Sequence, residues 1–135
     1  MRIATAGVLM LLALLAAAPV WAHHSFAAEY DVNKPLTLKG TITKIEFVNP
    51  HAWLYMDVKD SNGKVVNWAV EMGTPNMLIR RGFTKASVPA GTAITVDGFG
   101  AKDGSTTING TTLKLPDGTQ LFTGSPGAPG AEPPK

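Results

Sequence analysis

A chain of 135 residues, with twelve Lys/Arg against ten Asp/Glu and no cysteine, is long enough for one domain and not two. Its near balance of charge excludes the strongly basic face that grips nucleic acid. The absence of cysteine excludes disulfides, thiolate metal sites and thiol nucleophiles.

Residues 1–22 read as a secretory leader. Arg2 supplies a positive start, Ile3 to Val20 is an almost unbroken apolar run, and Val20-Trp21-Ala22 places small residues where a signal peptidase reads them. The expected cut lies between Ala22 and His23. An uncleaved anchor is the alternative, because the run approaches the ~20 residues that span a bilayer. The cleavage site and the missing stop-transfer charges favour removal. The expected location is therefore periplasmic or secreted, with no membrane attachment after cleavage. With Arg2 gone, eleven of the twelve Lys/Arg remain against the ten Asp/Glu.

Residues 23–35 are polar and mixed and read as an N-terminal arm, with Phe26 and Tyr30 available to pack it down. Residues 36–122 read as a β-rich domain. Leu36, Leu38 and Ile42 share one phase of a long first strand, and after Lys44 the apolar phase switches to Ile45 and Phe47, which is what a bulge or sharp bend produces. Asn49-Pro50-His51 is a turn. Leu54, Met56 and Val58 alternate with Tyr55, Asp57 and Lys59 in a second strand. Asp60-Ser61-Asn62-Gly63 is a hairpin turn, and Val66, Trp68, Val70 and Met72 form the apolar phase of a third strand. Thr74 and Pro75 open a short helix that Gly82 stops. Ile94 and Val96 face inward from a fourth strand, in which Gly98 and Gly100 permit another bend. Thr106 to Leu115 is the fifth strand. Residues 123–135, rich in Pro, Gly and Ala, read as a disordered tail.

Three strands, a short helix and two more strands, with a bent first strand, is the element order of an OB-fold. The expected class is all-β with one short helix, built as an OB-fold-like five-stranded Greek-key barrel. A small β-sandwich is the alternative.

The chemistry concentrates on histidine. Cleavage before His23 exposes an α-amino group next to its own ring Nδ1, and the two together chelate one metal ion. His24, in second place, chelates through the amine, the intervening amide and its ring. His51, the one other histidine, sits in the Asn-Pro-His turn and can complete a nitrogen-rich site if the arm folds across the domain. Such a donor set suits copper(II) best, zinc or nickel less well. Glu71 is a candidate oxygen ligand or a supporting partner. Met56 and Met72 are conceivable soft ligands, but they occupy the apolar phase of strands, where methionine is core. Trp53 and Tyr55, with Asn49 from the turn, form a candidate ligand-binding surface; packing beneath the arm is the alternative. Trp68 is read as core. Arg80-Arg81 suits a helix C-terminus better than an anion site.

His-His-Ser-Phe after the cut, Lys-Pro-Leu-Thr-Leu-Lys-Gly, Asn-Pro-His, Asn-Trp-Ala-Val-Glu and Leu-Ile-Arg-Arg-Gly-Phe together resemble a family of small exported bacterial proteins of unknown function. The resemblance runs from about His23 to Phe122. It implies no activity, and it draws attention to His23, His24, Asn49, His51, Trp68 and Glu71. Where the family pattern has tryptophan after Arg-Arg-Gly, this chain has Phe83, which keeps an aromatic.

Two functions are therefore expected from different classes. One is a periplasmic metal-binding protein, copper favoured, using His23, His24 and His51. The other is an accessory module without metal, binding a ligand or a periplasmic protein through the Trp53/Tyr55 face. No nucleophile or acid–base pair points to an enzyme, and nucleic acid is not an expected partner.

Overall fold

The computed structural model describes residues 25–124 and 128–130. The expected leader, His23, His24 and most of the expected tail lie outside the described residues. Within them the protein is all-β, with six strands and two short helices: α1 (Ser25–Glu29), β1 (Tyr30–Glu46), β2 (Trp53–Lys59), β3 (Val65–Glu71), α2 (Pro75–Arg80), β4 (Ala93–Ala101), β5 (Thr107–Lys114) and β6 (Gln120–Phe122).

The strands close into a ring. β1 pairs antiparallel with both β2 and β4, β2 with β3, and β4 with β5, while β5 and β3 run parallel through Ala69–Thr107, Val70–Ile108 and Glu71–Asn109. That circuit, with α2 between β3 and β4, is the OB-like order expected from the sequence; β6 is added outside β5.

The change of phase in β1 is a real irregularity. Ile42 pairs with Met56 and Lys44 with Tyr55, so Thr43 is an extra residue on the bent strand. Bending lets one strand serve both halves of the ring. A second shift falls between Asp97 and Gly98 in β4. Inside the ring lie Leu38, Ile42, Leu54, Met56, Val70, Met72, Ile94, Val96, Ile108 and Leu113, with Leu78, Phe83 and Val88 closing over them from α2 and the loop after it. Met56 and Met72 are fully buried core, and Trp68 packs against the core while partly exposed.

Local signals act as expected in the turns and in α2. The Thr74 side chain accepts from the Met77 N–H at 3.3 Å, and Gly82 adopts φ +84° after the helix. Arg81 is the C-cap residue and reaches the Phe122 carbonyl. Four boundaries differ from expectation. β1 begins at Tyr30, not Leu36, because Tyr30 pairs with Ala101 beyond an irregular stretch. Residues 25–29 form a second helix, held by Lys102, whose backbone N–H donates to the Glu29 carbonyl and whose ammonium bonds the Ala27 carbonyl. Residues 120–122 pair with β5 as a sixth strand. Thr123 and Gly124, expected in the tail, donate to the Thr111 carbonyl, and Ala128 is buried. Among the described residues no helix is long and apolar enough to cross a membrane.

Candidate functional site

Three side chains from distant parts of the chain meet at one end of β2 and β3. Core residues Val70 and Met72 flank Glu71, so by strand alternation its side chain leaves the ring on the outer face. It is nevertheless only 7 % exposed. The Tyr30 hydroxyl donates to Glu71 Oε2, and His51 Nδ1 lies 2.5 Å from Glu71 Oε1. A buried carboxylate needs such partners, since desolvation without compensation is strongly unfavourable.

Each partner is delivered by a local feature. Tyr30 is the first residue of β1, and its ring stacks on Phe26 of α1 at 5.7 Å; Phe26 also meets Phe99 edge-on at 5.8 Å. His51 follows the cis Asn49–Pro50 bond, and the neighbouring Ala52 is locked to the two residues after β3, donating to the Gly73 carbonyl and accepting from the Met72 N–H. In a neutral His51 ring, the facing carboxylate keeps the proton on Nδ1 and leaves the Nε2 lone pair for a ligand. Both oxygens of Glu71 are engaged, so its geometry favours the supporting role over direct ligation. The buried Asn109 stands opposite Glu71 across β3–β5, and its Oδ1 has no hydrogen-bond partner among the described residues.

Burial pushes the Tyr30 phenol well above its ordinary 10.0, and the hydrogen bond to Glu71 and the negative charge there act in the same direction. A phenol that holds its proton more tightly when folded contributes stability that is fully present below pH 10.0 and is lost as pH rises further. Unfolding measured across alkaline pH is expected to show that loss, and Tyr30→Phe is expected to flatten it. An unchanged slope would place the alkaline sensitivity elsewhere.

The remaining candidate residues separate. Trp53 and Tyr55 share the outer phase of β2 as expected, yet have different neighbours. Trp53 lines a groove of about 380 Å³ with Ala28, Glu29, Tyr30, Lys102 and Asp103, so it lies against the arm. The Tyr55 hydroxyl donates to Glu46 Oε2 at 3.3 Å, and the Lys44 ammonium, paired with Glu46, stands 5.6 Å from the Tyr55 ring centre. That ammonium holds the Glu46 carboxyl below the usual range. Asn49 is exposed at the turn. Among the described residues no three His, Asp or Glu side chains gather as a metal-binding group, and His23 and His24 lie outside those residues. The sequence marks Tyr30 only as a packing residue of the arm; its hydroxyl role has no local signal, because its acceptor is 41 residues away.

No curated protein and no solved structure matches this chain. The model of a family of unknown function (DUF6152) matches residues 11–111, most of the length, and the chain belongs to that family.

Proposed function

We propose that this is an exported protein that binds one metal ion, with copper(II) favoured, through His51 Nε2 and the amine and ring nitrogens of an N-terminal His23-His24 pair. The observation that carries the reading is the His51–Glu71 contact of 2.5 Å, backed on the other carboxylate oxygen by Tyr30. Metal-ligating histidines characteristically give their second ring nitrogen to a carboxylate, which fixes the ring and strengthens it as a donor. A histidine serving only to order its turn has no need of a carboxylate that is itself buried and held. The contacts Phe26–Tyr30–Glu71–His51 also link the arm to the turn, and Phe26 lies three positions after His23.

A second reading has its own observation. The groove between Trp53 and α1 carries Glu29, Lys102 and Asp103 beside an aromatic face, which suits a polar ligand or a periplasmic protein without any metal.

Copper(II) titration of protein starting at His23 separates the two. One-to-one binding is expected, weakened at least tenfold, or about 1.4 kcal/mol, both by His51→Ala and by one residue added before His23. Binding no tighter than that of a short peptide with the same first residues would overturn the metal reading and favour the Trp53 groove.

A further inference from the structure

A second hollow, larger than the Trp53 groove, lies far from His51. Lys59 closes β2 six residues beyond Trp53, about 20 Å along the strand. Around it β1, β2, β4 and the end of β5 line an open groove of about 680 Å³, within the range of small-ligand sites.

The floor is apolar and firm. Ile94 is core, Val65 is half exposed, and Leu115 packs partly against the core. Gly40 belongs to this floor because nothing larger fits: a Cβ there would lie 2.1 Å from the Asp57 carbonyl oxygen.

The rim is cationic. Lys39 pairs with Thr95, and Thr95 with Lys114, so one cross-strand row places a threonine between two lysines. At the usual strand spacing their Cα atoms are roughly 10 Å apart. Lys59 also lines the groove, at the end of β2 beside β1. None of these three lysines has an ion pair among the described residues. Asp57 also lines the groove, and it and the nearby Asp97 and Asp60 are held by neutral donors, which fix these carboxylates without cancelling their charge. Asp57 accepts from the Asn67 amide at 2.9 Å, Asp97 from the Thr37 hydroxyl at 2.6 Å, and Asp60 from the backbone N–H groups of its own turn. With three lysines against one carboxylate in its lining, the groove presents an excess of positive charge beside apolar surface.

We propose that this groove binds an anionic amphiphile, a single apolar chain ending in a carboxylate. The head group would sit between Lys39 and Lys114 beside the Thr95 hydroxyl, and the chain would lie over Val65, Leu115 and Pro116. Charge complementarity selects the head, and burial of the chain supplies most of the affinity. The inference does not depend on metal binding.

Calorimetric titration with decanoate below its micelle concentration tests it, with acetate and decyltrimethylammonium as comparison probes. One-to-one binding of decanoate alone is expected. The exposed pair K39Q/K114Q should weaken it by at least about tenfold, the scale of a lost charge-assisted hydrogen bond, while thermal unfolding stays unchanged. Equal binding of decyltrimethylammonium would mean non-selective apolar adsorption and overturn the proposal. So would absence of decanoate binding, or decanoate binding that K39Q/K114Q leaves intact.

Discussion

Replacing Glu71 by alanine is expected to lower the unfolding free energy by about 2–3 kcal/mol and to weaken copper(II) binding by about 10–100-fold. Both effects come from one buried carboxylate. Its removal leaves the Tyr30 hydroxyl without its acceptor beneath Phe26 and frees the His51 ring to turn. Glu71→Gln is the informative companion. It keeps the shape and one acceptor oxygen but withdraws the charge, so it should retain more stability than the alanine variant while still losing metal affinity. Urea unfolding and copper titration on both variants check this. Lost stability with unchanged copper affinity would make Glu71 a purely structural residue and remove the main support for the metal reading.

A large, purely structural effect is expected at Gly98, where alanine should cost about 3 kcal/mol. A Cβ at Gly98 would lie 2.1 Å from the carbonyl oxygen of Asn109 and 2.9 Å from its carbonyl carbon. These are backbone atoms of the paired strand and cannot rotate aside. The crowding occurs where β4 shifts register, and the facing residue is Gly110, whose own Cβ would press on Val70 at 2.6 Å. Gly63→Ala provides the contrast. That position is open but adopts φ +79°, so alanine there should cost only about 1 kcal/mol. Denaturant midpoints of the two variants decide the matter: if Gly98→Ala costs no more than Gly63→Ala, close strand approach is not what requires glycine at 98.

Much of this architecture is written in short-range patterns. The β2–β3 hairpin follows from period-two alternation on either side of Asp60-Ser61-Asn62-Gly63, with the Asp60 carboxylate accepting from Asn62 and Lys64. The helix between β3 and β4 follows from Thr74, Pro75 and Gly82, each acting on its own backbone. The bend of β1 shows as a change of apolar phase between Ile42 and Ile45. In each case the responsible residues are within a few positions of one another, so the sequence by itself determines the outcome: an all-β chain of turns and strands in OB-like order, with His51 in a turn and Met56 and Met72 inside.

Other features depend on contacts between remote segments. The parallel pairing of Ala69 with Thr107 closes the ring, yet neither strand differs in pattern from one with a free edge. The start of β1 at Tyr30 rests on Ala101, and β6 rests on β5. At the candidate site, sequence pattern singles out His51 and Glu71 separately, and alternation even assigns Glu71 to the outer face. Only the tertiary structure decided that this outer residue is buried, that both its oxygens are taken, and that a tyrosine from the arm takes one of them. The physical reason is that a hydrogen bond between side chains 41 residues apart leaves no trace in local propensity or periodicity. It exists because ring closure and the packing of Phe26 and Tyr30 bring the first strand's origin against the end of the third.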